Sequence, residues 1–189
     1  FVAIGGTDGP LRALANVGEP YSMFREGPVA QARAFALSQP PALIWTIDSN
    51  EDGVPDFSNP THGGVRGIDA FGSGDFGAGR DAGKRRHEGV DYVAEIGAAV
   101  RAPISGEVTR IGFAYRGVGG LRSVDIFNAE TKLTARVLYV APSVEVGDEV
   151  VAGEEIGVAQ DLSERYPGIT NHVHVELRNE QRQLIDATE

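Results

Sequence analysis

No cysteine occurs among the 189 residues, so disulfides, thiol catalysis and cysteine-ligated zinc are excluded, and any zinc site must be built from histidine and carboxylate. Lysine is nearly absent too, with Lys84 and Lys132 the only two. Long apolar runs are missing, and no stretch approaches the roughly 20 residues that cross a bilayer. The opening FVAIGGTDGP has neither an initiator methionine nor a basic segment leading into a long apolar one, which reads as a processed chain or an excised piece. Positive charge is in deficit: 17 basic against 27 acidic residues give a net charge of -10. That balance opposes non-specific binding to nucleic acid or anionic membranes. The one basic cluster, KRR at 84–86, is too short to reverse it.

What remains is 41% hydrophobic, enough for one domain or one domain with an appendage. Composition changes near residue 60. Before it, Asp8 and Pro10 open one helix candidate, and PVAQARAFALS, opened by Pro28 and closed by Pro40 and Pro41, is a second. ALIWTI then reads as a strand. Residues 61–86, THGGVRGIDAFGSGDFGAGRDAGKRR, read as a linker or an irregular lead-in loop. From Val90 onward GVDYVA, GEVTRIGF, SVDIFN, ARVLYV, DEVVAG, EEIGVAQ and NHVHVELR are short strands punctuated by Gly, Pro or Asn, which predicts an antiparallel β unit. The expected organisation is a partly helical N-terminal extension over residues 1–66 and a mainly β domain over 67–189.

Two of the four histidines stand two apart in NHVHVELR. In a strand Val173, Val175 and Leu177 face one way and His172, His174 and Glu176 the other. Either the imidazoles bind something, or this is an edge strand with a solvated polar face. A second cluster, RRHEGVDYV, sets His87 and Asp91 four apart with Gly89 at the bend between them. With one histidine of HVH added there are three ligands. Two His and one carboxylate leave the fourth tetrahedral position open, the layout of a catalytic zinc site and not of a closed structural one.

These segments resemble the lysostaphin/LytM family of zinc metallopeptidases, which cleave peptide bonds in bacterial peptidoglycan. The resemblance covers roughly residues 72–178 and is carried by FGAGR, HEGVDY with APISGEV following, VEVGDEVVAGEEIG and HVHVE. It implies a small antiparallel β-sheet core, the duplicated hybrid motif. It implies His87, Asp91 and His174 as zinc ligands and His172 as the catalytic histidine, while Arg80 matches a recurrent arginine placed here among the substrate contacts. It further implies peptidoglycan or a peptide as partner, a place outside the cytoplasm (periplasmic, secreted or on a phage particle), and an N-terminal extension free to take a protein partner.

One departure stands against these matches. Active members of that family usually carry a further catalytic histidine in a Y-x-H motif, and here the stretch is LYVAP, with Ala141 in its place. With RYPGITNHVHVE, this region is similar to the family's leukocyte cell-derived chemotaxin 2 branch, which binds zinc and is regarded as lacking peptidase activity. A weakened peptidase and an inactive zinc-binding recognition or structural module therefore both stand. Zinc acidifies a water molecule and polarises a carbonyl. The lost histidine would bind the developing oxyanion, a donor whose removal costs about 10² to 10³ in rate. Tyr139, Tyr166 and His62 are the candidates to replace it, with residues 139 and 141 expected on one face of a continuous RVLYV strand. The hairpin VEVGDEVVAGEEIG also resembles a lipoyl or biotinyl carrier, but it lacks the lysine such a carrier needs at its turn.

A separate signal lies in DSNEDGVPDFSN. Asp48, Asn50, Asp52 and Asp56 fall at positions 1, 3, 5 and 9 of a calcium-loop pattern, with Gly53 at 6. Position 12 is Asn59 in place of a bidentate glutamate, so a calcium site and a plain acidic turn are both open.

Overall fold

The structure is a computed structural model that describes residues 46–47, 56–116 and 120–188. Both helix candidates, and Asp48, Asn50 and Asp52 of the calcium-loop pattern, lie outside the described residues; Asp56 directly precedes the second strand.

The described chain is built of strands: β1 (Thr46–Ile47), β2 (Phe57–Ser58), β3 (Gly79–Arg80), β4 (Arg85–Arg86), β5 (Val90–Val93), β6 (Ala99–Arg101) and β7 (Gly106–Phe113). There follow β8 (Arg122–Phe127), β9 (Thr134–Leu138), β10 (Val140–Pro142), β11 (Glu149–Val150), β12 (Glu155–Ala159), β13 (His172–Arg178) and β14 (Leu184–Ile185). The larger sheet runs β11-β7-β8-β9-β13-β14, with β5 also paired to β13, and a three-stranded sheet runs β10-β12-β6. All pairings are antiparallel. β-Branched residues at alternating positions explain the choice of strand: Val108, Val124, Ile126, Val137, Val173 and Val175 are fully buried in one core.

Three expectations are corrected. First, β13 is no edge strand. β5 and β14 pair along one side of it and β9 along the other, and its polar face is as buried as its apolar one. Second, much of the Gly-rich segment is no linker. Phe57 joins the core, the Thr61 hydroxyl donates to the Val93 carbonyl at 2.8 Å, and Val65 bridges to Tyr92. The segment is a strap laid against β5, held there by Arg66 N–H donating to Asp91 O and Asp91 N–H donating to Gly74 O. Residues 57–66, placed in the extension by composition, thus pack against the β unit. Third, RVLYV is not continuous. Tyr139 has φ 69° and breaks the chain between β9 in the larger sheet and β10 in the smaller, so no period-two rule relates residues 139 and 141.

Candidate functional site

Strand register builds the site. β13 and β5 pair so that His174 stands opposite Asp91 and His172 opposite Val93, and opposite residues on one face of an antiparallel pair are near neighbours. His87 enters from the hairpin that precedes β5. It comes close enough because position 89 is glycine: a Cβ there would collide with the Val175 carbonyl and lie 2.9 Å from the His174 ring.

Three ligand-type atoms converge. Asp91 Oδ1 lies 2.8 Å from His174 Nδ1 and 3.1 Å from His87 Nε2, and the two ring nitrogens are 3.0 Å apart. His87 Nδ1 is 2.8 Å from the Asp75 carbonyl, which only accepts, so that nitrogen carries a hydrogen and Nε2 is the atom turned toward Asp91 and His174. His87 Nε2, Asp91 Oδ1 and His174 Nδ1 are thus three ligand-type atoms that one cation could share. Zinc bonds of about 2.0 Å at tetrahedral angles put ligand atoms about 3.3 Å apart, so modest expansion accommodates the ion. The electrostatics agree. Burial alone would raise the Asp91 carboxyl, but its contacts with His174 and His87 outweigh burial and hold it well below the ordinary carboxylate range. Burial likewise opposes charge on His174, yet Asp91 and Glu176 outweigh it and raise its pKa. A metal ion and that proton compete for one place.

Each of these groups is held from behind. Asp91 Oδ2 accepts from Arg66 Nη2 at 2.9 Å, and Arg66, only 2% exposed, is also 2.6 Å from Asp69 Oδ2. Asp69 Oδ2 accepts from the Thr170 N–H at 3.1 Å, and the Thr170 carbonyl accepts from His172 Nδ1 at 2.7 Å. His172 is therefore fixed with Nε2 toward the site, 3.5 Å from Asp91 Oδ1. Burial lowers its pKa, so at neutral pH that nitrogen is bare and able to take a proton. Glu176 Oε1 lies 3.6 Å from His174 Nε2. Burial works against the Glu176 charge, but His174 prevails and brings its pKa to about 2.

A cavity of about 390 Å³ opens over these groups, and Tyr115, Tyr139 and Tyr166 also line it. Arg80 also lines it, with Nη2 donating to the Ser73 carbonyl at 2.6 Å and 3.7 Å from Asp91 Oδ2. Two candidate replacements for the missing histidine, Tyr139 and Tyr166, are therefore in the cavity. The third is not: His62 accepts from Arg101 Nη1 at 3.0 Å and does not line it. Neither does Ala141, which pairs with Val158 of β12. Arg66, Asp69, Tyr115 and the partnership of Glu176 with His174 were not visible in the sequence, since they arise from loops or depend on register.

The profile of peptidase family M23 matches residues 85–186, more than half of the chain. The chain belongs to peptidase family M23. Its mainly β, antiparallel core is the lysostaphin-type fold expected for a family M23 domain. Among relatives, it is 34% identical to myeloid protein 1 of Gallus gallus over 120 residues, 62% of this chain and 36% of that protein. It is 30% identical to leukocyte cell-derived chemotaxin-2 of Mus musculus over 112 residues, 59% of this chain and 72% of that one. The chain thus spans about a third of the length of the chicken relative and under three quarters of the mouse one. Among solved structures, it is similar to the catalytic domain of the antimicrobial peptidase lysostaphin from Staphylococcus simulans, with a TM-score of 0.45, 21% identity, and coverage of 60% of this chain and 86% of that one.

Proposed function

We propose that this family M23 domain is a zinc-dependent endopeptidase acting on peptide bonds of peptidoglycan outside the cytoplasm, in a free or a phage-borne protein. The observation that carries the proposal is the convergence of His87 Nε2, Asp91 Oδ1 and His174 Nδ1, ligand-type atoms within reach of one ion. These three would hold zinc, which when bound supplies Lewis acidity that polarises a carbonyl and acidifies water. His172 takes the proton from the attacking water as the water oxygen bonds to the carbonyl carbon, and returns it to the amine nitrogen as the C–N bond breaks. The Thr170 carbonyl keeps the proton-accepting Nε2 aimed inward. Arg80, Tyr139 and Tyr166 contact the peptide from the cavity walls.

A second reading, a zinc-binding recognition module without hydrolysis, is favoured by Ala141 and by the likeness to chemotaxin-2. Metal analysis with digestion of purified peptidoglycans separates the two. One zinc per chain with release of new amino termini is the expected result. One zinc per chain with no release from any wall preparation supports the second reading, and a chain that takes up no zinc overturns both.

A further inference from the structure

The absent histidine leaves a chemical gap, and the tyrosines lining the cavity hold a group suited to it. Tyr166 Oη accepts from Arg165 Nε at 3.1 Å and donates to Tyr115 Oη at 2.8 Å. Tyr115 Oη in turn hydrogen-bonds Tyr139 Oη. Three hydroxyls carry three hydrogens, and the two bonds among them use two. Whichever way the Tyr115–Tyr139 bond points, one O–H, on Tyr139 or on Tyr115, is left over, and both residues line the cavity. Phenols titrate near pH 10, and burial raises both of these further, so the surplus group is a donor at neutral pH.

The backbone points the same way. Tyr139 holds φ 69°, a region that bulky residues rarely enter and that concentrates at functional sites. The conformation is pinned from both sheets: Tyr139 N–H donates to Arg122 O at 2.8 Å, and its carbonyl accepts from Gln160 N–H at 2.9 Å. The ring then stands edge-on to His172, centroids 5.5 Å apart, beside the base and not in a separate pocket. Arg165 covers the Tyr115 ring at 4.2 Å and fills the acceptor side of Tyr166, which directs the chain of hydroxyls toward the cavity.

We propose that the Tyr115–Tyr139 pair, backed by Tyr166 and Arg165, donates its surplus hydroxyl hydrogen to the carbonyl oxygen of the scissile peptide as negative charge develops on it, taking the role left open at Ala141. This rests on the peptidase reading above. Because either phenol can carry the free hydrogen, loss is redundant. Tyr139→Phe still leaves the Tyr115 hydrogen unspent, and Tyr115→Phe frees that of Tyr139.

The test compares both single phenylalanine variants with the double variant as zinc-loaded full-length protein, on peptidoglycan and on a phosphinic analogue of alanyl-alanine that mimics the tetrahedral state. Each single variant should lose up to about tenfold in kcat and the double about 10²-fold, with KM and zinc content held within about twofold. Phosphinate affinity should fall in the same order while affinity for the parent dipeptide stays put. A packing role predicts no change, since phenylalanine keeps every ring. A folding role predicts that zinc content, KM and thermal midpoint move together. A double variant that matches the native protein in kcat and phosphinate affinity overturns this inference and leaves the peptidase reading standing. A zinc-loaded native protein that neither cleaves peptidoglycan nor prefers the phosphinate overturns both.

Discussion

The two sides of the cavity are made differently. The metal-facing side leans on register: β5 and β13 are regular paired strands that set His174 opposite Asp91, and His87 joins them from the hairpin that precedes β5. The tyrosine side has no such basis. Tyr115 lies just beyond the end of β7, Tyr139 at the break between β9 and β10, and Tyr166 in the connection before β13. One side is thus a pattern in the sequence, and the other is assembled only when turns fold against each other and strained backbone aims a ring.

The largest effects belong to the strand-built side. His174→Ala, Asp91→Ala and His87→Ala should each abolish stoichiometric zinc, read by metal analysis of purified protein. His172→Ala should keep its zinc and lose about 10² to 10⁴ in hydrolysis, the range for a general base. Equal metal loss in all four variants would show that His172 is a ligand and that the division of roles within HVH is wrong.

Next comes the strap. Arg66 is buried between Asp91 and Asp69, so Arg66→Met removes one partner of a buried ion pair, a change that costs about 3 kcal/mol in unfolding free energy. It also frees the Asp91 carboxylate to turn. Zinc affinity should fall by about 10- to 100-fold, the usual consequence of losing the group behind a ligand, measured by competition with a chelator. Unaltered affinity together with the stability loss would make Arg66 a fold element only. Glu176→Gln probes the same kind of support more gently. At 3.6 Å from His174 Nε2 the contact is longer than a hydrogen bond, and the loss of affinity should sit at or below about tenfold, the low end of that range.

Legibility in the sequence followed the same division. The mainly β fold could be read from β-branched runs and turn residues, and the facing of Val173, Val175 and Leu177 from period two; these three lie in the core. Arg66 could not be read, because a charge buried by loop contacts has no periodicity and sits in a Gly-rich stretch that looks like linker. The burial of His172 and His174 was hidden for a related reason: alternation shows that a strand has two faces, not that both are covered. Tyr139 was misjudged because ARVLYV has the composition of one strand, and nothing local in it announces a left-handed residue.

The smallest expected effect sharpens the comparison most. If the tyrosine pair already supplies the donor, restoring the family's histidine should change little. Residue 141 lies past the break at Tyr139, on β10, paired with Val158 and not among the cavity-lining residues. The expectation that a strand would carry residues 139 and 141 to one face fails there, and with it the reason for a histidine at 141 to reach the metal-facing groups. A grafted side chain in addition lacks neighbours that hold it within about 0.5 Å of a productive position. Ala141→His should therefore leave zinc content unchanged and hydrolysis at the native level, well short of the roughly 10²-fold that one new oxyanion donor supplies. The decisive form of the measurement places the substitution in the Tyr115→Phe, Tyr139→Phe background. A rescue of about tenfold or more there, absent in the native background, would show that histidine and tyrosines serve one oxygen from two directions. A gain of that size in the native background would show that the tyrosine side contributes packing alone and that the oxyanion had no donor before the histidine arrived.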